Sequence, residues 1–138
     1  MEKTKKVFIS GPIQGMEEKQ AYRDKIRSLL IKYGYLPIDP WQREKVLYRA
    51  SNEGRWKDAS SRDFIKRDLE DIDKCDVLVA YLPKLSAGTC MELFYAKLKD
   101  KKTIVICKLK NPSPWIIEHA DIIVKNFKEF EEILKSGI

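Results

Sequence analysis

The chain has 138 residues, 43% hydrophobic and 35% charged, with a formal net charge of +6. That length fits one domain (1–138) with a real core, and the even mixing of apolar and charged residues excludes a disordered or low-complexity chain. The basic residues are scattered and often sit beside Glu or Asp, so no nucleic-acid stripe is expected. The longest apolar runs, VLVAYL and TIVIC, are far below the roughly 20 residues of a membrane span, so no membrane partner is expected either.

In chain order, KVFISG (6–11) predicts a short buried strand ending at a glycine. Residues 17–33 carry Tyr22, Ile26, Leu29, Leu30 and Tyr33 at helical spacing, and Gly34 stands where a helix-ending glycine belongs. YLPIDP then predicts a second strand with prolines at its edges. Residues 41–59 lack a clean period and predict a long loop carrying Trp41 and Trp56. A helix over about 62–75 leads into DVLVAYL, the most apolar strand, and SAGTCMELFYA opens the next helix. KTIVICK is a fourth strand, NPSPWIIEHA a loop with a short helical turn, DIIVKN a fifth strand and FKEFEEILKS a closing helix. Alternating strands and helices require crossovers, hence an α/β fold: a five-stranded parallel sheet with helices on both faces, flavodoxin-like or Rossmann-like. In such a sheet ligands bind beyond the carboxyl ends of the strands at the switch point, which sets the SGPIQG loop beside the PKLSAGT loop.

Several residues near that point carry chemistry. Thr89-Cys90-Met91-Glu92 has the form of a capping box, so Glu92 is either a helix cap or a carboxylate presented to a ligand. Gly88, Thr89 and Cys90 offer amides at a helix start suited to phosphate, and Ser86 adds a hydroxyl. Asp68 interrupts an apolar stripe of Phe64, Ile72 and Cys75, so it either lies at the stripe's edge or has a partner and a task. The loop containing Gly11, Ile13, Gln14 and Gly15 allows close backbone approach but has neither dinucleotide nor P-loop spacing. Trp41 and Trp56 either stack on a base or fold their loop onto the core. His119 is the only histidine, and Cys75, Cys90 and Cys107 lack zinc spacing. No metal and no cofactor is expected, the cysteines read as reduced packing residues, and with only VFIS behind MEKTKK a cytoplasmic location is expected.

FISGPIQG, RDLEDIDKCDVLVAYL and SAGTCMELFYAK stand in an order and spacing that resemble the nucleoside 2-deoxyribosyltransferase superfamily, including its 2′-deoxynucleoside 5′-phosphate N-hydrolase branch. The resemblance implies that Glu92 attacks the sugar C1′ to form a glycosyl-enzyme, with Asp68 assisting near the sugar and base. Two carboxylates suit oxocarbenium chemistry in the manner of retaining glycosidases. The transferases that accept free nucleosides usually carry Asp where this chain has Ser86, which is similar to the phosphate-contacting serine of the nucleotide hydrolases. Phe8 replaces a tyrosine that touches the sugar in many members, which leaves room for a ribose 2′-hydroxyl. The resemblance also implies a homodimer or higher oligomer with a shared site, to which Asn111 or Ser113 reaches across. The expected substrate is a nucleoside monophosphate or nucleoside, the leading reaction hydrolysis, with base exchange or a non-catalytic nucleotide-binding module as alternatives.

Overall fold

A computed structural model describes residues 3–49 and 61–138. The elements among them are β1 (Lys6–Ser10), α1 (Ala21–Lys32), β2 (Leu36–Ile38), α2 (Trp41–Arg49), α3 (Ser61–Asp73), β3 (Val77–Leu82), α4 (Ala87–Leu98), β4 (Lys102–Cys107), α5 (Pro114–His119), β5 (Ile122–Val124) and α6 (Phe127–Ser136). The strands pair in parallel in the order β2-β1-β3-β4-β5, so the chain reverses its direction of growth between β1 and β3. This is the expected five-stranded doubly wound sheet.

Strand parity divides the core into two layers. Val7, Ile9, Val77, Val79, Ile104 and Ile106 face α1 and α6, meeting Tyr22, Ile26, Leu30, Phe130 and Leu134. Phe8, Leu78, Ala80, Leu82 and Val105 point the other way, against Ile72, Leu93, Ala96 and Ile116. With both faces covered, the central strands are apolar on both sides, which is why the sequence shows runs there instead of alternation.

Two boundaries differ from the sequence expectation. Helix α1 begins at Ala21, not near residue 17, because the side chain of Gln20 turns back to the carbonyls of Pro12 (3.0 Å) and Met16 (2.7 Å) and holds residues 12–20 as turns. Gly34 does end α1, with φ +87°. The segment from 41 is not loop throughout: α2 starts where Asp39 Oδ1 accepts the amide of Trp41 at 3.0 Å and Pro40 supplies the first carbonyl, bonded by the amides of Arg43 and Glu44. Aspartate followed by proline is a helix-start signal in its own right. Residues 50–60, with Trp56, lie outside the described residues.

Arg23 organises the strand ends. It is 1% exposed, paired with Asp39 at 2.8 Å, and donates to the carbonyls of Ile9 (3.2 Å) and Gly11 (2.9 Å) and to Gln20 Oε1 (2.6 Å). Arg23→Met leaves the buried Asp39 with the Trp41 amide and, as its cation, only Arg27 at the longer 3.4 Å. A loss of about 3 kcal/mol in urea unfolding is expected, since removing one partner strands the other charge; a variant as stable as its parent contradicts this account of the strand ends.

Candidate active site

The ends of β1 and β3 open on a cleft of about 420 Å³, lined from the loop after β1 (Gly11, Ile13, Gln14), from α2 (Glu44), from α3 (Phe64, Asp68) and from the start of α4 (Ser86, Glu92). It sits at the switch point of the sheet, where two neighbouring loops diverge and leave room for a ligand. Volume and location both suit a small molecule.

Glu92 is not a helix cap. The cap of α4 is Ser86, whose Oγ accepts from the amide of Thr89 at 3.3 Å and from its hydroxyl at 2.9 Å. Glu92 therefore lies in the second turn, where its side chain reaches back over the end of β1, and Ser10 Oγ donates to Glu92 Oε1 at 2.6 Å. Burial first, then the charge of Asp68, pushes the Glu92 carboxyl up to about 8, against the opposing pull of Ser10 and Arg23. Carboxyls raised so far and aimed into a cleft are characteristic of working sites.

Asp68 lies on the inward stripe of α3, four residues from Phe64 and four from Ile72, and is 5% exposed. Its partner is Arg43 on α2, whose Nη2 donates to Asp68 Oδ1 at 3.0 Å while Nη1 holds Asp71 at 3.0 Å. Burial raises Asp68, and hydrogen bonds from Glu44 and Arg43 work against that rise. Glu44 itself is 2% exposed. Burial, followed by the charge of Asp68 and the hydrogen bond to it, raises Glu44 to about 9. Arg43, donating to Asp68, favours Asp68 as the acceptor and Glu44 as the donor of the hydrogen bond between them.

The cleft brings together Gly11, Ile13, Gln14, Asp68, Ser86, Gly88, Thr89 and Glu92. Phe8, expected beside the sugar, is instead fully buried in the layer of Ile72 and Leu78, two residues before Ser10 on the same strand face and below the cleft floor. Trp41 is buried at the start of α2 and does not line the cleft. Asn111 and Ser113 also lie away from it: Asn111 is exposed and Ser113 caps α5 through the amide of Trp115 at 3.0 Å. Gly11 has a packing reason as well as an open one, since a Cβ there would fall 2.4 Å from the Tyr22 hydroxyl. Sequence reasoning passed over Glu44 and Lys84, both on the cleft wall; the Asp39-Pro40 helix start was the available signal for Glu44. His119 packs between Trp115 and Phe94 as a structural residue. Among the described residues, no group of three or more His, Cys, Asp or Glu is arranged to hold a metal ion, and no helix is long and apolar enough to cross a membrane.

A parallel sheet ordered 2-1-3-4-5 with acidic side chains at its switch point defines a doubly wound α/β domain with a carboxylate-lined ligand cleft. The sequence model of the nucleoside 2-deoxyribosyltransferase family matches residues 7–134, and the chain belongs to that family. No curated protein matches it. Among solved structures, a 2-deoxyribosyltransferase from Bacillus psychrosaccharolyticus superposes with a TM-score of 0.72 at 17% identity over 93% of this chain and 91% of that one. A conserved protein from Enterococcus faecalis V583 gives 0.72 at 17% identity over 99% and 100% of the two chains. A CMP N-glycosidase from Clostridium botulinum gives 0.60 at 18% identity over 97% and 100%. At these identities the likeness is one of fold.

The raised carboxyls make stability depend on pH with a definite sign. Glu92 keeps its proton to about 8 when folded but releases it near 4.5 when unfolded, so its contribution is fully present below pH 4.5 and is lost as pH rises through 8. Glu92→Gln removes that dependence. The difference in thermal midpoint, variant minus parent, is expected to increase from pH 6 to about pH 8 and to level off above it, and parallel melting curves across that range would contradict the assignment.

Proposed function

We propose that the protein hydrolyses the N-glycosidic bond of a nucleoside 5′-monophosphate, releasing free base and sugar 5-phosphate. The observation that carries the reading is the pair of carboxyls, Glu92 and Asp68, on the wall of one cleft and close enough for the charge of Asp68 to raise Glu92. In this reading Glu92, oriented by Ser10, attacks C1′ as the carboxylate. The C1′–N bond breaks as the ester forms, and the electron pair leaves with the base, which takes up the proton shared by Glu44 and Asp68, replaced when water later gives up one of its own. Water then cleaves the glycosyl ester, returning Glu92 and giving the sugar 5-phosphate. Oxocarbenium character at C1′ is stabilised by the anion beside it.

The phosphate is assigned to the start of α4. Ser86 Oγ accepts two bonds from Thr89 and retains its own proton to donate outward. The first amides of α4, at Ala87 and Gly88, have no acceptor within the helix, and a Cβ on Gly88 would meet nothing within 4 Å, so that backbone is open. Lys84 stands on the same rim. Together these groups favour a dianion over a neutral 5′-hydroxyl.

Base exchange between nucleosides, the reaction in the family's name, is the second reading; it shares the glycosyl-enzyme and differs in what resolves it. We further place the chain in a homodimer or larger assembly. The exposed Met91 (70%) and Trp115 (72%) mark an apolar face beside the cleft, and Asn111 and Ser113 would serve a neighbouring subunit's site.

Incubation with nucleoside monophosphates and with the matching nucleosides is expected to release base from the former at least about tenfold faster, and Glu92→Ala to reduce release by at least about 1,000-fold. Because attack needs the carboxylate, kcat/KM is expected to rise with pH through about 8, the value at which Glu92 loses its proton. A new nucleoside formed on adding an acceptor base in place of hydrolysis favours exchange, and binding without turnover favours a non-catalytic module. Unchanged release by Glu92→Ala removes the proposed nucleophile.

A further inference from the structure

We infer that Glu44 selects the base: its unpaired carboxyl oxygen accepts a hydrogen bond from the exocyclic amino group of a cytosine- or adenine-type nucleobase and disfavours the corresponding keto base. The inference rests on the N-glycosidase reading of the same cleft and deepens it.

Glu44 lines the cleft while only 2% exposed, and its Oε2 is buried with no hydrogen-bond partner among the described residues. An unmet buried acceptor is costly, and native proteins retain few of them. A ligand that brings a donor removes the cost.

The surroundings determine which donor fits. Glu44 is hydrogen-bonded to Asp68, and Arg43, which donates to Asp68 at 3.0 Å, favours Asp68 as the acceptor of that bond. The remaining Glu44 oxygen is then carbonyl-like and can only accept. Turning the proton outward to serve a keto oxygen would set the Glu44 carbonyl against the Asp68 carboxylate, lone pair to lone pair. The cleft also carries Phe64, Ile65, Leu69 and Leu85, apolar surface suited to a planar ring.

Cytosine and adenine present an amino group next to a ring nitrogen. When that nitrogen takes a proton as the base departs, the edge offers two adjacent donors, and Glu44 Oε2 with the Asp68 carboxylate offers two acceptors. The match is closest for the protonated leaving base, so the selectivity is expressed in the reaction as well as in binding. Uracil and hypoxanthine place a carbonyl oxygen where the amino group would be. Sites built to bond a polar group discriminate far more strongly than apolar ones do.

The experiment uses the full chain and compares cytidine with uridine 5′-monophosphate, and adenosine with inosine 5′-monophosphate, in ribose and deoxyribose forms. It reads the ratio of kcat/KM within each variant, which cancels any change in folded fraction. The parent is expected to prefer the amino member by about 100-fold. Glu44→Met is expected to lower that ratio at least about tenfold, and Glu44→Gln to keep it within about threefold, because an amide nitrogen donates to Asp68 and leaves its oxygen in place of the carbonyl. The 4-deamino analogue of cytidine monophosphate, with hydrogen at that position, tests the same bond without a variant and is expected to fall between cytidine and uridine. A parent ratio near one, a preference for the keto member, or a ratio unchanged in Glu44→Met overturns the inference.

Calorimetry on Glu92→Ala with the same nucleotides separates the two claims. An amino preference in binding with no turnover by the parent retains the role of Glu44 and removes the hydrolysis reading. Turnover without preference does the reverse, and absence of any binding overturns both.

Discussion

The buried pair of Arg23 with Asp39 is the interaction on which the cleft depends. A guanidinium 1% exposed must satisfy its donors inside the protein, and it does so with the carbonyls of Ile9 and Gly11, the Gln20 amide oxygen and the Asp39 carboxylate. Those acceptors belong to β1, the loop after it, the start of α1 and the residue that caps α2. A single side chain therefore sets the relative positions of the pieces that carry Ser10, the cleft floor and Glu44. Without it, those carbonyls would need other donors in a region closed to water. Arg23 also bears electrostatically on the site, since its charge draws the Glu92 carboxyl downward against burial.

The cleft concentrates acidity in an apolar setting. Glu44, Asp68 and Glu92 cannot all be ionised there, and the protein resolves the conflict by assigning protons unequally. Burial raises all three, Arg43 works against the rise of Asp68, and the charge of Asp68 lifts Glu44 and Glu92 further. Environments that push neighbouring carboxyls apart give each a different capacity to bind or release a proton. The arrangement costs stability at high pH, consistent with strain concentrated at a site instead of being spread through the core.

The legible part of the fold followed from periodicity. Apolar runs at 77–82 and 102–107 are buried on both faces, and the alternation of strands with helices settled the parallel order. Glu92 and Asp68 could be singled out because each stands where a bland residue would otherwise be expected. What could not be read has a common cause: a polar side chain pointing inward looks, in a pattern analysis, like a solvent face. Glu44 hid α2 in this way, since an inward glutamate three residues after an inward tryptophan breaks the apolar period. The capping-box spacing at Thr89 is coincidental, because Ser86, three residues earlier, caps the helix instead. Phe8 shares the face of Ser10 by strand parity and is fully buried beneath the cleft, a depth that periodicity does not encode.

Gly11 joins the two halves of the molecule at a single atom that is absent. The Tyr22 ring stands where its side chain would be, and the Tyr22 hydroxyl holds the Pro12 carbonyl at 2.9 Å, so a loop that lines the cleft rests directly on an aromatic residue of the opposite layer. Mutational drift in that interior layer is thus transmitted to the ligand without any intermediary. Lineages that remodel residue 22 must accept a different mouth to the cleft, so a change of specificity can begin from the hydrophobic interior while every chemical group at the mouth stays the same.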